Sequence, residues 1–330
     1  MKKIELLAPA GDLEKLKIAV DYGADAVYFG GEMFGLRAAA KNFTLGEIRE
    51  GVQYAHARGR RVHMTINIFA HNEDIPALEH YLDQLSEIPI DAFIVSDPGV
   101  IMMIRETIPD AEIHLSTQAN MTNYKTAEFW HKLGVKRIVL ARELTFDEIR
   151  ELRRKLPETL ELEAFIQGAM CISYSGRCLL SNFMIERDAN RGECAHPCRW
   201  KYQLVEEKRP GEYFPIEEDE RGTYILNSRD LCMIEHIPDL VRAGLSSGKI
   251  EGRMKSIFYV ATVVGAYRKA IDAYYADPEG YRFDPEWLAE LKKVSHREFT
   301  TGFYYNKPTN KDQNYQTSAY TRYYLFVGLV

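Results

Sequence analysis

Residues 5–31, ELLAPAGDLEKLKIAVDYGADAVYFGG, contain a complete strand–helix–strand pattern. A short apolar run ends at Pro9, Asp12 is placed to cap a helix, and Gly23 ends that helix before a second apolar run begins. Two glycines follow the second run. This pattern is typical of the parallel βαβ unit, in which a helix joins two neighbouring strands.

The same alternation continues along the chain. Further strands are predicted at 61–68, 92–96, 112–116, 137–140, 161–166 and 247–251, with helices at 44–58, 76–85, 100–107, 125–133, 146–155, 230–243 and 256–275. Eight repeats predict a (β/α)8 TIM-like barrel with a cysteine-rich insertion, 168–227, after the seventh strand. An open doubly wound sheet is the alternative, but it would usually have fewer strands, and no GxGxxG follows the first strand.

This pattern divides the chain into two regions. The barrel with its insertion takes 1–275, and a C-terminal extension takes 276–330. The extension ends in 323–330, which resemble the start of a strand, so we expect it to lead into a small β domain that this sequence truncates.

The composition is that of an ordinary globular chain: 330 residues, 46% hydrophobic, with a net charge of −6. That charge argues against a surface that is basic throughout, but a local basic face could still bind RNA. There is no apolar run of about 18 residues that would cross a membrane. The N-terminus lacks a signal-peptide pattern, so we expect a cytoplasmic protein.

Four of the five cysteines lie close together, at Cys171, Cys178, Cys194 and Cys198. Disulfides would need an oxidising compartment. Structural zinc usually takes cysteines about two to four residues apart, which suits only the second pair. An iron–sulfur cluster also takes four thiolates and tolerates irregular spacing. The spacing favours a cluster and leaves zinc and unligated thiols open, while Cys232 is predicted to be buried in a helix.

Active sites of barrel enzymes lie at the carboxyl ends of the strands. The polar residues predicted at those ends include Asn67, Gln118, Arg142, Gln167, Glu251 and Arg253. Each could instead stabilise neighbouring loops or form a structural ion pair. Glu163 lies inside the barrel, where a carboxylate needs a partner, so its role is structural or catalytic. Arg177 and Tyr174, beside the cysteines, could hold an unpaired base, or form ordinary solvated surface.

Several motifs together resemble those of one family. They are EAFIQGAMC at 163–171, SGRCLLS at 175–181, GECAHPCRW at 192–200, NSRD at 227–230 and KIEGR at 249–253. With the opening stretch, they make the whole chain similar to peptidase family U-32, the collagenase-like proteases. Within that family, the chain looks most like the branch of prephenate-dependent tRNA uridine(34) hydroxylases, which form 5-hydroxyuridine at the wobble position.

The resemblance implies an enzyme with a [4Fe-4S] cluster, prephenate as co-substrate and oxygen donor, and the tRNA anticodon loop as partner. The cluster ligands would be Cys171, Cys178, Cys194 and Cys198. We assign catalytic roles to Glu163, Arg177, Glu251 and Arg253, and substrate binding to Asn67, Gln118, Arg142, Gln167 and Tyr174. Because guanidinium groups bind carboxylates in a bidentate way, Arg142, Arg177 and Arg253 are the predicted prephenate clamps.

Two other functions stay open at this point. The first is a U-32-type peptidase, although the sequence shows no nucleophile with an evident partner base. The second is a non-catalytic RNA-binding scaffold that contains zinc.

Overall fold

A computed structural model describes residues 3–36, 41–171, 173–174, 176–200, 218–219, 222–223 and 229–306. Most of the predicted insertion after residue 200, and the strand start predicted at 323–330, lie outside the described residues.

The described part of the chain forms twelve strands. They are β1 Glu5–Pro9, β2 Ala26–Gly30, β3 Arg61–Ile66, β4 Ala92–Val95, β5 Glu112–Leu115, β6 Arg137–Val139, β7 Glu161–Ala169, β8 Glu218–Asp219, β9 Gly222–Thr223, β10 Asp230–Cys232, β11 Ser247–Ile250 and β12 Phe299–Thr300. Strands β1 to β7 pair in sequence order and in parallel, and β11 pairs with both β7 and β1. This pairing closes an eight-stranded parallel barrel, so the (β/α)8 prediction is confirmed.

Ten α-helices accompany these strands. They are α1 Leu13–Asp21, α2 Leu45–His56, α3 Ile75–Leu85, α4 Pro98–Thr107, α5 Tyr124–Lys132, α6 Phe146–Lys155, α7 Leu180–Ile185, α8 Ile237–Arg242, α9 Ile257–Ala276 and α10 Pro285–Leu291, all within the described residues. Their starts follow from local capping. Asp12 accepts a hydrogen bond from the Lys15 amide, as predicted, and Thr44 and Thr145 each begin a capping box.

The core lies between the barrel and its helices, where Leu6, Phe29 and Met64 are fully buried. The longest helix, α9, buries one face against the barrel, with Val263 and Tyr267 at 0% exposure. None of the helices that the structure describes has both the length and the apolar character needed to span a membrane.

The predicted helix at 230–243 is wrong in its first half. Residues Asp230–Cys232 form β10, which pairs antiparallel with β7, and a helix begins only at Ile237. The partner for β10 exists because β7 continues to Ala169, beyond its predicted end. Cys232 is buried as predicted, but in a strand, and burial raises the pKa of its thiol to about 12.

The described part of the C-terminal extension packs on the barrel. Helix α10 lies against α9, and β12 pairs in parallel with β10. The buried Arg297 guanidinium bonds the Asp230 carboxylate, with Nη2 2.7 Å from Oδ1. The extension therefore stabilises the short strand β10 from its outer side.

Candidate functional site

A cavity of about 290 Å³ opens at the carboxyl end of the barrel strands. Its floor and walls come from side chains of the strands and from the residues that follow them. These include Tyr28, Thr65, Asn67, Ile94, Ser116, Gln118, Val139, Arg142, Phe165, Lys249, Glu251, Arg253 and Lys255. The cavity thus lies where active sites of TIM barrels lie.

The four clustered cysteines, Cys171, Cys178, Cys194 and Cys198, all line this cavity. Cys171 is exposed, the other three are half-buried, and none forms a disulfide. The segment that carries them leaves the barrel at the end of β7. The segment therefore brings its cysteines to the barrel mouth.

Side chains of the barrel hold the cysteine segment in place. The Arg191 guanidinium donates to Asp74 Oδ2 and Oδ1, at 2.7 and 3.0 Å, and to the Phe69 carbonyl at 3.0 Å. Asn190 Nδ2 donates to the Cys178 carbonyl at 3.1 Å. The loop after β3 is thus linked to Arg191, and within the segment Asn190 is bonded back to Cys178.

Two glycines let the segment approach the barrel closely. Gly168 has φ +111° and Gly176 has φ +73°, which disfavour other residues. A Cβ on Gly168 would lie 2.4 Å from the Glu251 carbonyl oxygen, and one on Gly176 would lie 2.8 Å from the Gln118 carbonyl oxygen. Larger residues at these positions would push the segment away from the cavity.

The four cysteines around the cavity are a donor set for a metal centre, either a zinc ion or an iron–sulfur cluster. A zinc ion needs its four sulfurs at about 2.3 Å from one point. Within the described ranges, no three histidine, cysteine or carboxylate side chains are arranged to hold one ion. A [4Fe-4S] cluster distributes four thiolates around a larger body, and four cysteines around one cavity provide that donor set.

Two of the predicted arginines line the cavity. Arg253 is 3% exposed; its Nη2 donates to Asn42 Oδ1 at 2.6 Å and its Nη1 to Thr65 Oγ1 at 3.3 Å. The guanidinium passes so close to Gly30 that a Cβ there would lie 2.4 Å from Nη2. Arg142 Nη1 donates to the Ala169 carbonyl at 3.1 Å, and its Nη2 lies 3.7 Å from Cys171 Sγ.

Glu251, Asn67, Gln118 and Tyr174, to which sequence analysis assigned catalytic or substrate-binding roles, also line the cavity. Glu251 Oε2 accepts from the Tyr28 hydroxyl at 3.4 Å. Asn67 Nδ2 donates to Ser116 Oγ at 3.2 Å. The Tyr174 side chain is 47% exposed, so its ring is available at the rim.

Three predicted site residues, Glu163, Gln167 and Arg177, are not among the residues that line the cavity. Arg177 is exposed on the surface. Glu163 is fully buried below the cavity, where its carboxylate bonds Arg137 Nη1 and Lys249 Nζ, both at 3.0 Å. Burial opposes ionisation of Glu163, but the charges of Lys249 and Arg137 outweigh it and lower its pKa to about 2.

Gln167 faces away from the cavity because β7 contains a bulge. Phe165 pairs with Lys249, but Gln167 pairs with the next residue, Ile250, so one residue of β7 is extra. The bulge reverses the direction of the following side chains. Gln167 Oε1 consequently accepts from the Tyr267 hydroxyl of α9, at 3.1 Å.

Sequence analysis missed Lys249 as a cavity residue. It lines the cavity at 4% exposure, with Nζ 4.2 Å from the Tyr28 ring centre. The signal was present, because Lys249, Glu251 and Arg253 alternate and alternating residues of a strand face the same side. Apart from histidine, the charged residues that line the cavity within the described part of the chain are four basic and one acidic: Arg142, Lys249, Arg253, Lys255 and Glu251.

The sequence profile of peptidase family U32 matches residues 11–314. The chain belongs to this family. Among curated relatives of this U32 chain, tRNA hydroxylation protein P1 of Bacillus subtilis is 50% identical. The alignment covers 100% of this chain and 77% of the length of that relative. The tRNA hydroxylation protein P of Escherichia coli is 40% identical and covers 96% of this chain and 78% of its own.

A less similar curated relative and a solved structure also match the U32 chain. A 23S rRNA 5-hydroxycytidine synthase of Escherichia coli is 36% identical over 91% of this chain and 45% of its own. Among solved structures, the U32 peptidase Mk0906 is 18% identical, with a TM-score of 0.50 over 76% of this chain and 94% of its own. The last similarity supports the barrel fold alone.

Proposed function

We propose that this U32 chain is an RNA-hydroxylating enzyme that forms 5-hydroxyuridine at the wobble position of tRNA in the cytoplasm. The names of its relatives support RNA hydroxylation, since two are tRNA hydroxylation proteins and a third is an rRNA 5-hydroxycytidine synthase. The names do not specify the modified nucleotide, so the wobble uridine and the anticodon loop are our own proposal.

One observation carries this function for the chain itself. Four cysteines and a predominantly basic set of side chains line a single cavity at the barrel mouth. A cavity of this kind combines a thiolate-held cofactor with recognition of anionic substrates. Tyr174 at the rim offers a face on which an unpaired base can stack.

Cys171, Cys178, Cys194 and Cys198 would hold a [4Fe-4S] cluster, which supplies electron transfer when bound. Prephenate is the proposed co-substrate, and Arg142 and Arg253 would bind its carboxylates from the cavity wall. Arg177 is exposed and is not part of this wall, and it would contact RNA phosphates instead.

The experiment is to express the chain in a bacterial strain that lacks its own tRNA uridine hydroxylation genes. Mass spectrometry of tRNA nucleosides should then detect 5-hydroxyuridine, which should disappear again in a strain that cannot make prephenate. Absence of 5-hydroxyuridine despite stable expression of the chain would contradict the proposed function.

Two further measurements separate the alternatives. Protein purified without oxygen should contain about four irons and four sulfides per chain. One zinc and no iron would favour the RNA-binding scaffold. Metal-free protein that cleaves gelatin and is inhibited by thiol alkylation would favour the peptidase.

A further inference from the structure

Lys249 occupies an unusual position for a lysine. It lies on the inner side of β11, and its side chain is only 5% exposed although it lines the cavity. Aromatic rings surround its ammonium group, with Nζ 4.2 Å from the Tyr28 ring centre and 5.8 Å from that of Phe165. A buried ammonium is costly, so one retained at the floor of a cavity requires compensating partners.

Glu163 is one such partner. Its Oε1 lies 3.0 Å from Lys249 Nζ, and its Oε2 lies 3.0 Å from Arg137 Nη1. Arg137 is also paired with Glu5 and Glu161, so Glu163 is the carboxylate of this network that neutralises the ammonium of Lys249. An ammonium has three donors, and Glu163 accepts from one of them.

The neighbouring charges make the cavity attractive to an anion. Lys249 and Arg253 are both nine-tenths or more buried and lie on the same wall, and Arg142 is placed on another. Glu251 is the acidic residue between them, and it is also in contact with the Tyr28 hydroxyl. In so enclosed a site, the attraction of two buried cations for a carboxylate is little screened by salt.

We infer that Lys249 binds a carboxylate of the small organic acid that enters the cavity, and that Glu163 is the positioning residue that holds the ammonium in place. This inference rests on the proposed function for the identity of the acid, prephenate, but not for the anion site itself. An RNA phosphate is the less suitable ligand, because a phosphodiester carries a sugar on each side and needs an open groove rather than the floor of a barrel.

The test measures binding without turnover. Prephenate is titrated by calorimetry into the full chain, purified without oxygen, and into Lys249→Met, Lys249→Arg and Lys132→Met. Lys132 ends α5 on the outside of the barrel and serves as the matched control. We expect Lys249→Met to lose at least about tenfold in affinity, Lys249→Arg to recover part of it, and Lys132→Met to match the parent.

A second variant guards against misfolding. Lys249→Met leaves Glu163 with one cation fewer, whereas the double variant Lys249→Met/Glu163→Gln removes both charges of the pair. The double variant should fold, by circular dichroism, and should show the same loss of prephenate affinity. Under turnover, both variants should raise the KM for prephenate more than they lower kcat.

Unchanged prephenate affinity in folded Lys249→Met would overturn the inference. If the same variant also bound tRNA more weakly, Lys249 would be assigned to an RNA phosphate instead. If prephenate binding depends on Lys249 but no tRNA is modified in the cell, the anion site stands and the proposed function fails.

Discussion

Arg191 and Asp74 form a bidentate pair that fastens the cysteine segment to the loop after β3, with N–O distances of 2.7 and 3.0 Å. The two residues are far apart in sequence, and their side chains are 25% and 15% exposed. A bidentate pair fixes orientation as well as distance. Arg191 thereby sets where Cys178 and Cys194 lie relative to the cavity.

Replacing Arg191 by Gln should loosen this segment without unfolding the barrel. The global free energy of unfolding should fall by only about 1 kcal/mol or less, since the pair is partly exposed. Limited proteolysis, followed by mass spectrometry, should show faster cleavage between residues 178 and 200, and the protein should retain less metal.

The control for Arg191→Gln is Arg150→Gln, which removes an exposed pair with Asp147 on α6. Its cleavage pattern should match that of the parent. Equal cleavage rates in the Arg191 variant and the parent would show that the pair does not hold the segment.

Gly176→Ala should displace the turn between Cys171 and Cys178. The new Cβ would meet the Gln118 carbonyl oxygen at 2.8 Å, in addition to the strain of a positive φ. Gly59→Ala is the matched control, because Gly59 has φ +66° but nothing within 4 Å of the added Cβ. Both variants should lose about 1–2 kcal/mol of stability from backbone strain, but only Gly176→Ala should lose metal and tRNA modification.

Glu163→Gln should destabilise the barrel strongly, by about 3–5 kcal/mol in urea unfolding at pH 7, because it leaves the buried ammonium of Lys249 without its carboxylate, while Arg137 keeps Glu5 and Glu161. Glu151→Gln, on the exposed surface of α6, is the control and should unfold like the parent. An equally small change in both variants would mean that the buried network contributes little.

The same carboxylate predicts a pH dependence. The pKa of Glu163 is about 2 in the folded chain, below the usual carboxyl value. Its contribution to stability is therefore complete above about pH 4.5 and is lost as the pH falls towards 2. Over this range, the free energy of unfolding should fall more steeply in the parent than in Glu163→Gln, and parallel curves would contradict the assignment.

Arg253→Ala should reduce tRNA modification at least about tenfold while the metal content stays the same. The reason is that Arg253 lines the cavity and its guanidinium donates to Asn42 and Thr65 of the barrel, so the variant removes a cation of the cavity and keeps all four cysteines. Nucleoside mass spectrometry and metal analysis of one preparation give both readouts. Arg242→Ala, at the exposed end of α8, is the control, and unchanged modification in Arg253→Ala would remove it from the proposed site.

The barrel could be predicted from sequence because its strands are local apolar runs separated by well-capped helices. Strand β10 could not, since its three residues become a strand only by pairing with the end of β7 and with β12. Local sequence there gives no sign of partners so distant in the chain.

The site was predictable where it depends on strand ends and on the cysteine motif. Asn67, Arg142 and Arg253 follow strands and line the cavity as that rule implies. Gln167 lies at a predicted strand end but does not line the cavity, because a bulge in β7 turns its side chain towards α9. A bulge arises from the register between two strands, so the sequence of one strand does not reveal it.

The size of the cavity limits how an RNA can react there. About 290 Å³ lies near the lower end of the range for small-molecule pockets, a size that suits a single base better than stacked or paired nucleotides. A target base would have to leave its stack and enter singly, which costs a few kcal/mol in a duplex and least where the base is already unstacked. Selection of a loop over a stem would then require no base-specific contact, because the shape of the barrel mouth would already impose it.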